Sequence, residues 1–193
     1  MRQKLIQLAS VAAAAALVAG GAHAGLGPAD FVYYTGYNDT GSGFDFSGQT
    51  IFATDSGVNG IQENRDLGGS DTAPNWPSAA VVFMADVTAT FTAPTSSFYE
   101  FQIGSDDGGY AFIDGNLLLN DGGVHGIQYV TGSTFLTAGA HSVEIQYGNL
   151  FCCGAVLNFA QVPEPSSWAV MMLGVAGLGA ALRTRRKSDL AEA

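Results

Sequence analysis

Between residues 81 and 93 the chain alternates side chains with a period of two. Val81, Phe83, Ala85, Val87, Ala89, Phe91 and Ala93 fall on one side, and Asp86, Thr88, Thr90 and Thr92 on the other. Successive side chains of an extended strand point to opposite faces, so this spacing predicts a strand with one dry and one wet face. Such strands belong to antiparallel sheets lying on a core. The pattern returns at Val143, Ile145 and Tyr147 against Ser142, Glu144 and Gln146, and again at Ala155, Leu157 and Phe159. No 3.6-residue period competes with it between residues 25 and 161.

Turn chemistry punctuates these runs. Asp114-Gly115 separates residues 110–113 from Leu117-Leu118-Leu119 and predicts a hairpin, since both turn residues tolerate positive φ. Ala138-Gly139 turns the chain between Phe135-Leu136 and the strand beginning at His141. Further strands are expected over residues 31–37, 50–53 and 98–103. Residues 55–77 carry little pattern and read as a long surface loop. Many short strands with Gly-rich turns predict an all-β domain, a sandwich or barrel.

The two ends are of another kind. Met1-Arg2-Gln3-Lys4 precedes an apolar run over residues 5–18 and the small residues Ala22 and Ala24. That is the pattern of a signal peptide, residues 1–24, cut by signal peptidase after Ala24. At the other end, Pro163-Glu164-Pro165 is followed by an apolar stretch to Leu182 and the basic cluster Arg183, Arg185, Arg186 and Lys187. Cations retained on the cytoplasmic side make this a stop-transfer arrangement. Residues 166–182 number 17, about 25 Å as a helix, short for a hydrocarbon core about 30 Å thick. Gly174, Gly177 and Gly179 weaken it further as a durable span. This end, residues 162–187 with a tail over 188–193, resembles the PEP-CTERM sorting signal. The resemblance implies cleavage near the tripeptide by an exosortase. It also implies transient anchoring in the inner membrane of a Gram-negative bacterium through the C-terminal helix, and a final place at the cell surface or in the extracellular matrix of a biofilm.

Between the ends lie residues 25–161, enough for one domain with a core. Of the seven basic residues in the chain only Arg65 falls there, against 14 acids, so the formal charge of this segment is 1 − 14 = −13. Nucleic acid is excluded as a partner, because nothing is present to neutralise phosphates. The surface suits solubility, divalent cations or neutral glycans.

Residues 101–115 carry Ser105-Asp106-Asp107-Gly108-Gly109, an aromatic at Tyr110, then Ile113-Asp114-Gly115. Downstream come Leu136-Thr137-Ala138-Gly139-Ala140-His141, a strand ending at Tyr147, and Gly154-Ala155-Val156-Leu157. In this order they resemble the protective-antigen-type domain, a jelly-roll-like antiparallel β-sandwich of flocculin-like adhesins, some glycosidases and bacterial surface proteins. The resemblance implies a calcium ion held by Asp106 and Asp107 with oxygens of the stretch after Tyr147, where Asn149 is a candidate; the residues themselves offer Leu150 and Phe151, beside Cys152-Cys153, as an apolar knob for contact with a sugar face. Calcium takes six to eight oxygen ligands, and adjacent carboxylates both stay ionised only when a cation compensates them. An exposed acidic turn that binds nothing is the alternative reading of the same residues.

Cys152 and Cys153 are the only cysteines. In an oxidising, exported setting they are expected to be paired, as a vicinal or an intermolecular disulfide; two buried thiols are the remaining possibility. His141 is expected to serve a turn, and His125 to lie in a solvated loop or line a groove. No Gly-x-Ser-x-Gly elbow, zinc-binding His-Glu-x-x-His or phosphate loop occurs, and the chain reads as a non-enzyme. The expectation is an exported glycan- or exopolysaccharide-binding adhesion module. Its rival is a structural protein of the exopolysaccharide matrix with no specific ligand.

Overall fold

The computed structural model describes residues 24–64, 68–150, 154–162 and 173–176. Eleven strands are described: β1 (Gly25–Leu26), β2 (Ala29–Thr35), β3 (Ile51–Val58), β4 (Ile61–Glu63), β5 (Phe83–Ala93), β6 (Ser97–Asp106), β7 (Gly108–Ile113), β8 (Asn116–Asp121), β9 (Gln128–Leu136), β10 (Gly139–Asn149) and β11 (Val156–Val162). A seven-stranded sheet has the order β3-β2-β5-β10-β7-β8, with β1 also pairing β5. A four-stranded sheet has the order β4-β11-β6-β9. Every pairing is antiparallel. The fold is the antiparallel β-sandwich that the alternation predicts.

The dry faces meet as expected from Phe83 onward, whereas Val81 precedes β5 and is exposed, because the strand pairing begins only at residue 83. Phe83, Ala85, Val87, Phe91 and Ala93 of β5 pack with Val143, Ile145 and Tyr147 of β10 against Phe101, Ile103, Leu157 and Phe159 of the other sheet. Asp114 and Gly115 adopt φ of 50° and 74°, the left-handed pair that a two-residue hairpin needs.

Two regions depart from the sequence reading. Residues 55–77 are not a surface loop. Val58, Ile61, Ala73 and Trp76 join the core, and Trp76, 1% exposed, packs edge to face with Phe83 and tilted against Tyr147 while its Nε1–H donates to the Ala155 carbonyl at 2.9 Å. Period analysis missed this segment because a single large aromatic can seal one end of a sandwich without any repeating pattern. The second departure is the wet face of the larger sheet. Met84 is fully buried there with Phe44 and Tyr110, under a cover that includes Tyr34, Tyr37, Phe46 and Phe112. The segment after β2 folds back over the sheet, so the outward position 84 gains its own small core.

Register gives the sandwich two poles. Gly25 pairs with Thr92 and Val162 with Glu100, so β1 begins and β11 ends at one pole. Gly108 pairs with Gly148, and Gly148 with Met84, at the opposite pole. The acidic pair lies at that second pole.

Candidate functional site

The Asp106-Asp107 pair sits where the chain passes from one sheet to the other. Asp106 is the last residue of β6 and Gly108 the first of β7, with only Asp107 between. An exposed acidic turn is therefore ruled out: Asp106 is 6% and Asp107 4% exposed. The peptide between them is cis. Gly108 lies so close to the Gly123 backbone that a Cβ there would sit 2.8 Å from the Gly123 carbonyl oxygen, which explains why glycine follows the pair.

Asn149 ends β10, one position beyond Gly148, whose partner Gly108 adjoins Asp107. The register thus puts Asn149 beside the acidic pair. The Leu150 N–H donates to Asp107 Oδ2 at 2.7 Å, drawing the chain after β10 onto the pair. Asn149 is buried, and its Nδ2 donates to the carbonyls of Val81 at 2.6 Å and Ala79 at 3.2 Å. Its orientation is thereby set, and its Oδ1 is left buried with no hydrogen-bond donor among the described residues. The Asp106 carbonyl is held from the core side by the Tyr147 hydroxyl.

Burial, and then the charge of Asp107, pushes the Asp106 carboxyl above its ordinary value; His125 and the Ile127 N–H act in the opposite direction. Among the described residues there is no Lys or Arg to balance the pair. Nor is there a cluster of three or more His, Cys, Asp or Glu side chains able to hold a metal ion. The donors present are two carboxylates and one amide oxygen without a partner, a hard-oxygen set that suits calcium if backbone carbonyls complete it. Phe151, Cys152 and Cys153 lie outside the described residues, as do Ala22 and the sorting residues Pro163, Glu164, Pro165, Arg183, Arg185, Arg186 and Lys187.

The same pole carries polar groups that the sequence did not single out. Ser105 Oγ donates to Asp121 Oδ2 at 2.5 Å, and His125 Nε2 lies 3.1 Å from the Asp121 carbonyl and 3.7 Å from its Oδ1. This is not the Ser-His-Asp arrangement, because the serine hydroxyl donates to the carboxylate rather than to the imidazole. Nearby, Tyr37, Asp39, Tyr110, Asn120 and residues 122–124 line an open cavity of about 440 Å³. Asp39 accepts from the Tyr110 hydroxyl at 2.5 Å and the Gly123 N–H at 2.8 Å, tying the β8–β9 loop to the segment that covers the sheet. These contacts join residues some 71 and 84 positions apart, which no local pattern reveals. His141 serves the hairpin, with Nδ1 2.7 Å from Asp114 Oδ2 and Nε2 2.8 Å from the Thr137 carbonyl.

Comparison with known proteins agrees with the fold. The PA14 domain matches residues 40–151, and a PEP-CTERM protein-sorting motif matches residues 161–187. That motif marks the chain as an exported, cell-surface protein. Among the described residues no helix is long and apolar enough to cross a membrane. No curated protein matches the chain. Among solved structures, the A domain of epithelial adhesin 9 from Candida glabrata in complex with Galβ1-3GlcNAc is similar at TM-score 0.52 and 12% identity, over 72% of this chain and 84% of that one. The PA14 domain of the antifreeze protein MpAFP is similar at TM-score 0.52 and 16% identity, over 74% and 86%. A β-glucosidase from Kluyveromyces marxianus in complex with glucose is similar at TM-score 0.51 and 12% identity, over 72% of this chain. The chain spans only 16% of that enzyme's length. At these identities the likeness is one of fold.

Proposed function

The chain belongs to the PA14 domain family, and on that premise we propose that it is an exported surface module that binds glycans through the acidic pole, with calcium as its cofactor. The observation that carries the proposal is the pair of buried, adjacent carboxylates next to an amide oxygen with no donor. Asp106, Asp107 and Asn149 Oδ1 would hold the ion, with backbone carbonyls of the chain after β10 completing its shell. Bound calcium supplies open coordination positions that accept sugar hydroxyls. The protein's own part is to hold the oxygens in place: Tyr147 fixes the Asp106 backbone, Leu150 fixes Asp107, and Ala79 and Val81 fix Asn149. Similarity to an adhesin domain crystallised with a galactose-containing disaccharide supports the ligand class.

The sorting motif supports delivery in which an exosortase cuts near Pro163-Glu164-Pro165 and signal peptidase cuts after Ala24. Because β1 begins and β11 ends at the pole away from Asp106 and Asp107, a chain held by its C-terminal segment would present the acidic pole outward. The whole chain then acts as a binding module and not as an enzyme.

A glycan array probed with and without a chelator tests the proposal. Binding that appears only with calcium supports it. No binding in either condition leaves a structural protein of the exopolysaccharide matrix as the better reading.

A further inference from the structure

The outward face of the four-stranded sheet carries a row of side chains that neither the core nor the acidic pole uses. On the edge strand β9 the outward positions are Tyr129, Thr131, Ser133 and Phe135, all exposed. Tyr129 is opposite Gly104 of β6, and Phe135 is opposite Phe98. A Cβ at position 104 would collide with the Tyr129 ring. The glycine is therefore a floor that lets the phenol lie across the sheet, with 57% of Tyr129 still exposed. At the far end Phe98 and Phe135 pack edge to face, with centroids 5.5 Å apart, while remaining 65% and 55% exposed.

From Tyr129 to Phe135 is six residues of strand, about 20 Å. Between these aromatic ends the surface offers the Thr131 and Ser133 hydroxyls and the Gln102 amide, and over residues 98–104 of β6 and 129–135 of β9 Glu100 is the one charged group. In a domain of formal charge −13 this is an almost neutral strip. Flat aromatic rings at the ends with hydroxyls and an amide between them match the alternating apolar faces and hydroxyl edges of a sugar chain. The strip is also continuous with the acidic pole: Gln128 pairs with Ser105, and the Ile127 N–H bonds the Asp106 carboxylate.

We propose that this face is a second binding surface, for an extended neutral polysaccharide, with Tyr129 over Gly104 as the stacking platform nearest the acidic pole and the Phe98–Phe135 pair as the distal one. The inference rests on the glycan-binding reading and deepens it: the ligand is a polymer whose chain runs along β9 and not only a terminal sugar.

The test uses protein recovered from the producing cells, electrophoresed through gels containing hydroxyethyl cellulose, laminarin or dextran, with glucose, galactose and lactose as short competitors. At least one polymer is expected to retard the wild type. Tyr129→Ala and the Phe98→Ala/Phe135→Ala pair should each weaken that binding about tenfold without changing the response to short sugars. Tyr129→Phe, which keeps the ring, should behave as wild type and so separates stacking from folding damage. Absence of retardation by all three polymers overturns the inference, as does wild-type retardation of the alanine variants. It is equally overturned if those variants lose self-association or vesicle flotation while polymer binding stays intact. Short-sugar binding by the wild type without retardation by any polymer defeats this inference alone. Short-sugar binding that ignores Asp106→Asn/Asp107→Asn while polymer binding needs Tyr129 defeats the calcium-site reading and leaves the strip standing.

Discussion

The Leu150 N–H donates to Asp107 Oδ2 at 2.7 Å. One hydrogen bond thus couples the passage between the two sheets to the chain emerging from β10, 43 residues later. Whatever occupies the acidic pole acts on both segments together, and that coupling underlies the first expectation.

Calcium should stabilise the wild type. At about a hundredfold excess over its dissociation constant a ligand adds about 2.7 kcal/mol, a rise in melting temperature of roughly 10 °C for a domain of this size. Asp106→Asn/Asp107→Asn should melt at the same temperature with and without millimolar calcium. Differential scanning fluorimetry decides this, and an unmoved wild-type transition would sink the calcium assignment.

Asn149→Ala should act twice. Without calcium it leaves the Val81 and Ala79 carbonyls short of a donor, costing about 1–3 kcal/mol. With calcium it should also lose most of the ion's stabilisation. Urea titrations with and without the ion separate the two effects, and a variant that keeps the full calcium response shows that Oδ1 is not a ligand.

Trp76→Ala should be among the most damaging single changes, costing about 3–5 kcal/mol. It opens a void beside Phe83 and Tyr147 and leaves the Ala155 carbonyl without its indole donor. Denaturant unfolding measures the loss. A cost near zero would show that residues 72–76 are not seated in the core.

Stability should decline from mildly acidic to neutral pH. Burial raises the Glu63 carboxyl to about 7, against hydrogen bonds from Thr72 and Ala73 that favour its charged form. Burial and then the Glu144 charge raise Asp86 to about 6. Both groups hold a proton more tightly in the folded chain, so their stabilisation is complete below the unfolded values of 4.5 and 3.8. It is lost as the pH climbs through about 6 to 7. His141, raised by the Thr137 carbonyl and Asp114, adds to the same trend. Asp114, lowered mainly by its bond to His141, opposes it only at lower pH. Glu63→Gln, which keeps the acceptor oxygen without the charge, should flatten a plot of melting temperature against pH between 5 and 8. An unchanged slope would remove Glu63 as its source.

Processing should leave a mature chain that begins near Gly25 and ends close to Pro163-Glu164-Pro165, having lost residues 168–193. Intact mass of protein from the culture matrix reads this directly. A full-length C-terminus outside the cell would contradict it.

Much of this protein is written locally. The alternation over residues 83–93 and 142–147 determined which faces are dry, because burying one side of a pleated strand requires apolar residues at every second position. Asp114-Gly115 determined a hairpin, because both residues tolerate positive φ. The sorting motif at residues 161–187 and the run around Asp106 and Asp107 were legible for a similar reason, since each lies in a short contiguous stretch. The tertiary structure alone decided what those runs face. Trp76 enters the core from a segment without any period, and Met84 is buried on the nominally wet side because residues 38–47 fold over it. Asn149 comes to lie beside Asp107 only through the β7–β10 register. Tyr129 lies across the sheet only because Gly104, 25 residues earlier in the chain, is its neighbour on β6. Such relations come from pairing between distant segments, and no period or motif within either segment encodes which one it will meet.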